Sequence, residues 1–196
     1  MQRTVTTIRM YQALAMSDPH KIDNYLAVTA LGDNSTGLVR ELARIIKDCN
    51  CSIGESRMTV MGNRICILML VSGTWNAVAK TEDVLVREKD RLGIDLNLRR
   101  TSMQHQSKNL MPYAIDVVAI DQPGIVHNIV NFFNQNEIDI RDIQTNTYKT
   151  ASSGSVMFSM HMIINIPADL SIASVRGEFM DFCDQYNLDS IMEPVK

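Results

Sequence analysis

The chain repeats itself, and the repeat limits its fold more than any other feature. Tyr25-Leu-Ala-Val-Thr-Ala-Leu-Gly-Asp33 aligns with Tyr113-Ala-Ile-Asp-Val-Val-Ala-Ile-Asp121 at an offset of 88 residues, since 121 − 33 = 88. Past the aspartates, Asn34-Ser-Thr-Gly37 faces the one-residue-shorter Gln122-Pro-Gly124, and an offset of 87 carries through Ile53 and Ile140. The polar stretch TSMQHQSKNLMP, ending at Pro112, reads as a linker. The 196 residues therefore divide into a tail (1–22), a first domain (23–101), a linker (102–111) and a second domain (112–196). Each domain is long enough to bury its own core. The tail carries Arg3 and Arg9 but lacks the apolar stretch of a secretory signal, and Met16 offers an alternative start.

Both domains spell the same order of elements. Residues 25–31 are short and apolar and stop at Gly32-Asp33, which predicts a buried strand. Leu38, Leu42, Ile45, Ile46 and Cys49 then recur at helical spacing, with Arg40, Glu41, Arg44 and Lys47 on the other side. Ser52–Met61 and Arg64–Ser72 predict a hairpin, with positive φ tolerated at both Gly62 and Asn63. Trp75, Val78, Leu85 and Leu92 mark a second helix, and Gly93 opens a last strand. In the second domain the stripes are Ile125, Ile129, Phe132 and Phe133, then Ile172, Val175, Phe179, Phe182, Cys183 and Tyr186. A hairpin over Asp139–Thr150 and Ser155–Ile166 turns through Ala151 to Gly154, and a strand follows near Leu188–Met192. The order is βαββαβ twice. The predicted class is α+β, with two tandem ferredoxin-like units, each an antiparallel four-stranded sheet with both helices on one face.

Helices on one face leave the other face to water or a partner. Leu26, Val28 and Ala30 alternate with Tyr25, Ala27, Thr29 and Leu31, so the first strand is apolar on both sides and predicts burial on both, by the sister unit or another chain. Asp116 interrupts the equivalent strand. It reads as an edge-exposed or paired carboxylate, with contact to a partner as the alternative.

Composition removes several classes of function. No apolar run approaches the ~20 residues of a membrane helix. Nineteen Lys+Arg against 22 Asp+Glu give −3, which argues against a basic nucleic-acid surface. Residues 1–100 hold 14 basic and 11 acidic side chains, and residues 101–196 hold 5 and 11, so the halves carry +3 and −6. RNA-binding βαββαβ modules place aromatic side chains on the middle strands, and here Phe158 stands alone. No helix-turn-helix lies outside the repeats, so no direct nucleic-acid contact is expected. Cys49, Cys51, Cys66 and Cys183 form neither a disulfide framework nor a zinc set, which points to thiols in a reducing cytoplasm. Catalytic serine, metalloprotease, phosphate-loop and dinucleotide motifs are missing, and His20, His105, His127 and His161 are scattered. A pairing of His127 with Asp121 is conceivable. The reading is a protein without catalytic residues, metal or cofactor. Met157, Met160 and Met162 read as core, with an adaptable partner surface as the alternative.

The strand–loop–helix junctions, Gly32–Leu38 and Asp121–Ile125, are where a small ligand could sit. Helix-first amides lack intrahelical partners. Asp121, or Ser35 and Thr36, could cap them, and Pro123 suits a first helical turn. Gly37 and Gly124 would let a second backbone or a small ligand approach closely. Free N–H groups and the helix dipole favour a carboxylate.

Read with the repeat, D-x-x-G opening the first helix of a βαββαβ unit resembles the ACT family of amino-acid-sensing regulatory domains, over about 23–101 and 112–196. The tandem layout, with D-N-S-T-G-L-V, C-N-C-S-I, S-R-M-T-V-M-G and L-V-S-G-T-W-N, resembles the family of glycine cleavage repressors. The resemblance implies a small amino acid, glycine foremost, held between the loop after strand one and strand two of a neighbouring domain. The implied ligand residues are Asp33, Asn34, Gly37, Leu38 and Ser52 in the first unit, and Asp121, Gln122, Gly124, Ile125 and Asp139 in the second. Ser52 and Asp139 stand where ligand-binding members often carry Asn, and Asp139 suits an ammonium better than a carboxylate. The resemblance further implies a homo-oligomer and an anti-activator that contacts a LysR-type activator of glycine cleavage genes without reading DNA. The alternative is a free-standing amino-acid-binding regulatory subunit of a metabolic enzyme.

Overall fold

The computed structural model describes residues 24–103, 109–151 and 154–195. The tail, the alternative start at Met16, His20, His105, half of the linker and the serines of the second hairpin turn lie outside the described residues. The chain divides into two compact units at residues 104/105. The first holds β1 (Asn24–Asp33), α1 (Leu38–Asp48), β2 (Ser52–Met61), β3 (Arg64–Gly73), α2 (Trp75–Leu92) and β4 (Ile94–Thr101). The second holds β5 (Leu110–Ile120), α3 (Ile125–Gln135), β6 (Asp139–Lys149), β7 (Val156–Pro167), α4 (Ile172–Tyr186) and β8 (Asp189–Pro194). The sheets run β2-β3-β1-β4 and β6-β7-β5-β8, and every pairing is antiparallel. This is the βαββαβ ferredoxin-like arrangement, twice.

Each core forms where helical stripes meet one face of a sheet. Leu38, Leu42, Ile45 and Ile46 of α1 are buried against Leu26, Val28, Ile65, Ile67, Met69 and Val71. The α2 stripe differs from the expected one. Ala77, Val78, Thr81 and Leu85 are buried, whereas Trp75 is 61% exposed. It opens the helix beside the N-cap Thr74, with the Arg100 guanidinium 5.4 Å from its ring centroid. In the second unit Ile125, Ile129 and Phe133 of α3 and Val175, Phe179 and Cys183 of α4 close on Ile115, Val117, Met160, Met162 and Ile164. Met157 falls on the opposite parity from Met160 and Met162 and is only half-buried. The pleat, with a period of two, sorts the methionines.

Register corrects the alignment of the repeats. Val28 lies between Met69 and Leu98, and Ile115 lies between Met162 and Met192. Ala30 lies between Ile67 and Leu96, and Val117 between Met160 and Ser190. The helices open at Leu38 and Ile125. All three correspondences share an offset of 87, with no gap. Asp33 is therefore equivalent to Ile120, and Asn34 to Asp121. The backbone agrees: the Asn34 N–H donates to the Asn63 carbonyl at 3.1 Å, and the Asp121 N–H donates to the Val156 carbonyl at 2.9 Å. A one-residue slip would turn every strand side chain to the wrong face. Burial parity thus outranks the matching of two aspartates, and the two loops are equal in length.

The face away from the helices stays exposed within each unit, so two-sided burial of the first strand is not achieved by its own unit. Leu31 and Leu68 are 40% and 50% exposed, and Ile120 and Ile191 are 68% and 59% exposed. Asp116 sits on this face of β5, an inner strand rather than an edge. It is a paired carboxylate, with Nδ1 of His161 2.8 Å from its Oδ1. The histidine–aspartate pair of this unit is thus His161–Asp116 across two strands. In the first hairpin Gly62 alone of the turn pair takes positive φ, at 62°.

Candidate functional site

The two strand–loop–helix junctions have the same build. Gly37 and Gly124 are the N-caps of α1 and α3, with φ of 102° and 96°. Neither helix start receives a side-chain cap. The expected caps from Asp121, Ser35 and Thr36 are therefore not made, because a left-handed glycine fills the N-cap place and has no side chain to offer. A Cβ built on Gly37 or Gly124 would meet nothing within 4 Å. These glycines serve the positive φ, which an L side chain resists, and not a close approach inside the chain. Pro123 precedes the N-cap instead of entering the first turn. The Glu41 and Asn128 amides return to the Gly37 and Gly124 carbonyls, each at 2.9 Å.

The structure gathers part of the expected residue set. Asn34, Gly37 and Leu38 cluster at one junction, and Asp121, Gln122, Gly124 and Ile125 at the other; Leu38 and Ile125 point into the cores. Asp33 belongs to the strand end, where Arg64 Nη1 lies 2.9 Å from its Oδ1. Ser52 and Asp139 lie elsewhere. Asp139 pairs with Asn165, which faces Pro112, while the loop follows Ile120, eight strand steps away. At ~3.3 Å per step that is roughly 26 Å along the sheet. Ser52 shares the Ser72 row with Tyr25, at the far end of β1 from Asn34.

The second junction borders a crevice of about 170 Å³. Gln122, Pro123, Ile125 and Asn128 line it from the loop and α3, and Tyr186 and Leu188 from the end of α4 and the start of β8. Asn128 and Tyr186 escaped the sequence reading. They stand 58 positions apart, and only antiparallel packing of α3 and α4 joins them. A wider hollow of about 420 Å³ beside Glu82, Asp83, Val86 and Arg87 touches no junction residue.

The matching place in the first unit is built from charge. Offsets of 87 on the first helix and 94 after the second put Glu41, Leu92 and Ile94 where Asn128, Tyr186 and Leu188 stand. The second offset is set by the left-handed C-caps Gly93 and Asn187. Arg44 Nη2 lies 2.9 Å from Glu41 Oε2, and Arg91 Nη2 reaches the same oxygen from α2 at 3.8 Å. The hydrogen bond from Arg44, and then the charges of Arg44, Arg40 and Arg91, hold the Glu41 carboxyl below its ordinary range against the opposing effect of burial. Among the described residues no group of three or more His, Cys, Asp or Glu could hold a metal ion, and no helix is long and apolar enough to cross a membrane. The four cysteines are free, and burial pushes the Cys183 thiol up.

This geometry agrees with the kinship of the chain. The family model of the ACT domain matches residues 24–99. Residues 24–99 thus match an ACT domain. The glycine cleavage system transcriptional repressor of Escherichia coli K12 is 24% identical over 164 residues, covering 84% of this chain and 86% of that one. The homonymous Shigella flexneri protein matches to the same extent. A crystal structure of an unknown protein from Galdieria sulphuraria superposes with a TM-score of 0.72 at 21% identity, covering 89% of this chain and 99% of that one. The second sheet and its helices repeat the first, so the chain folds as two tandem ACT-type units. The curated relatives are transcriptional regulators, and with them the chain sorts as a regulatory protein and not an enzyme.

Proposed function

We propose that the chain is an amino-acid-responsive regulator of transcription that works as an anti-activator. It contacts a LysR-type activator of glycine cleavage genes and does not read DNA itself, and a small amino acid, glycine foremost, relieves the contact. One observation carries this reading: the uncapped, glycine-opened helix start that recurs in a tandem ACT chain whose curated relatives are glycine cleavage repressors. The first-turn amides and the dipole there favour an amino acid's carboxylate. The candidate ligand residues gathered at the two junctions are Asn34, Gly37 and Leu38 in the domain at 23–101, and Asp121, Gln122, Gly124 and Ile125 in that at 112–196. Asp33, tied to Arg64, sets the strand end. Ser52 and Asp139 lie too far along their own sheets to join these residues within one unit, and Asp139 would meet the ammonium group of a ligand held by a neighbouring domain. The setting is cytoplasmic.

Calorimetric titration with a panel of amino acids that includes glycine and serine tests the sensing half. A Gly37→Leu variant is the control on the first junction. Co-purification tests the partner half: recovery of a LysR-type activator supports the proposal, and recovery of a metabolic enzyme in its place contradicts it.

A further inference from the structure

We infer that the two units have divided their labour, with the amino-acid ligand received by the crevice of the second unit alone and selected there by Asn128 and Tyr186. The inference rests on the amino-acid-sensing reading above and names the site and the class of ligand.

The lining of the crevice sets what it can hold. Gln122 and Asn128 offer side-chain amides, each able to donate and accept, and Tyr186 offers a phenol that does both. Pro123, Ile125 and Leu188 supply the apolar floor, with Ile125 and Leu188 only 4% and 5% exposed. No lining side chain carries a formal charge. A guest with net charge would lose hydration without a counter-charge, so a net-neutral molecule rich in donors and acceptors is preferred. A free amino acid with an uncharged side chain is such a molecule. About 170 Å³ falls below the ~300 Å³ at which drug-sized pockets begin, which restricts the guest to the smallest side chains.

The first unit shows the same position spent otherwise. Glu41 replaces Asn128, and its partners Arg44 and Arg91 stand where the second unit has Asn131 and Gln185. The three residues tie α1 to α2 by charge, whereas the second unit has three neutral amides at those positions. A zwitterion entering the first unit would have to separate an ion pair that already joins two helices. One entering the second unit displaces water from neutral groups.

Titration of the full chain with glycine, serine, glutamate and phenylalanine tests this. The expected result is one binding site per chain for glycine or serine, with glutamate and phenylalanine at least tenfold weaker. Asn128→Glu, which installs the first unit's residue, should weaken binding tenfold or more. Tyr186→Phe, which keeps the ring beside Phe182, should weaken it several-fold. Glu41→Asn should leave it unchanged, and circular dichroism checks that each variant is folded. Two equal sites per chain, or wild-type affinity in both Asn128→Glu and Tyr186→Phe, overturns the division of labour while leaving amino-acid sensing intact. A wild-type chain that binds none of the four overturns the sensing reading and this inference together.

Discussion

The two units share strand order, bulge position and helix caps, yet they fasten their helices by different physics. In the first, charge joins α1 and α2 at both ends: Arg91 reaches across to Glu41 at the junction end, and at the far end Lys80 Nζ donates to the Asp48 carbonyl at 3.4 Å. In the second, α3 and α4 meet through rings. Phe133 and Phe179 lie 5.0 Å apart, Phe132 is 5.1 Å from Phe133 and from Phe182, and Phe182 lies 4.8 Å from Tyr186. Aromatic pairs contribute about 0.5–1.5 kcal/mol beyond the area they bury and are insensitive to salt. Exposed ion pairs contribute little and are screened. One topology therefore tolerates a charged or an apolar seam, and only the apolar seam can end in a neutral crevice.

The largest expected effect attacks the aromatic seam. Phe179→Ala removes a fully buried ring and should cost about 3–5 kcal/mol, all of it in the second unit. The chain has one tryptophan, Trp75, and it lies in the first unit, so its fluorescence reports that unit alone. In urea, Phe179→Ala should bring forward the far-ultraviolet transition and leave the Trp75 transition in place. Loss of both together would mean that the units do not unfold separately.

A smaller effect, equal in the two units, is expected at the helix starts. Gly124→Ala and Gly37→Ala each force an L residue to positive φ, at about 1–2 kcal/mol. Urea midpoints measure it. A bulky Gly124→Leu therefore perturbs stability as well as any ligand, so it is a poorer probe of the crevice than Asn128→Glu. A neutral result at both glycines would remove the conformational reason for their presence.

The smallest effect belongs to the charged seam. The folded Glu41 carboxyl titrates below the ordinary glutamate range, so its contribution is fully present above the unfolded-state value and is lost as pH falls through the lower folded one. The acid-induced Trp75 transition should occur at higher pH in Glu41→Gln than in wild type at low salt. The two should converge in high salt. A difference that survives high salt would point to packing by the stem of Glu41, not its charge.

Much of this was legible in the sequence. The helix stripes Leu38-Leu42-Ile45-Ile46 and Ile125-Ile129-Phe133, the hairpins and the duplicated βαββαβ order all follow from period and turn chemistry. The register did not, because Asp33 and Asp121 match in letters. The burial parity of Leu26, Val28 and Ala30 against Ile115, Val117 and Ala119 requires Asn34 to match Asp121. Carrying the 87-residue offset back from the helices would have shown it. The side-chain caps failed for a reason written in the chain, since a glycine directly before each stripe competes for the N-cap place. The crevice was beyond reach because Asn128 and Tyr186 are joined only by how two helices pack, and no local pattern records that.

The most direct test of the whole account measures the affinity of the purified chain for a purified LysR-type activator of glycine cleavage genes, with and without glycine. The account predicts a complex that weakens as glycine is added, with the weakening lost in Asn128→Glu. A complex indifferent to glycine, or no complex, would contradict it.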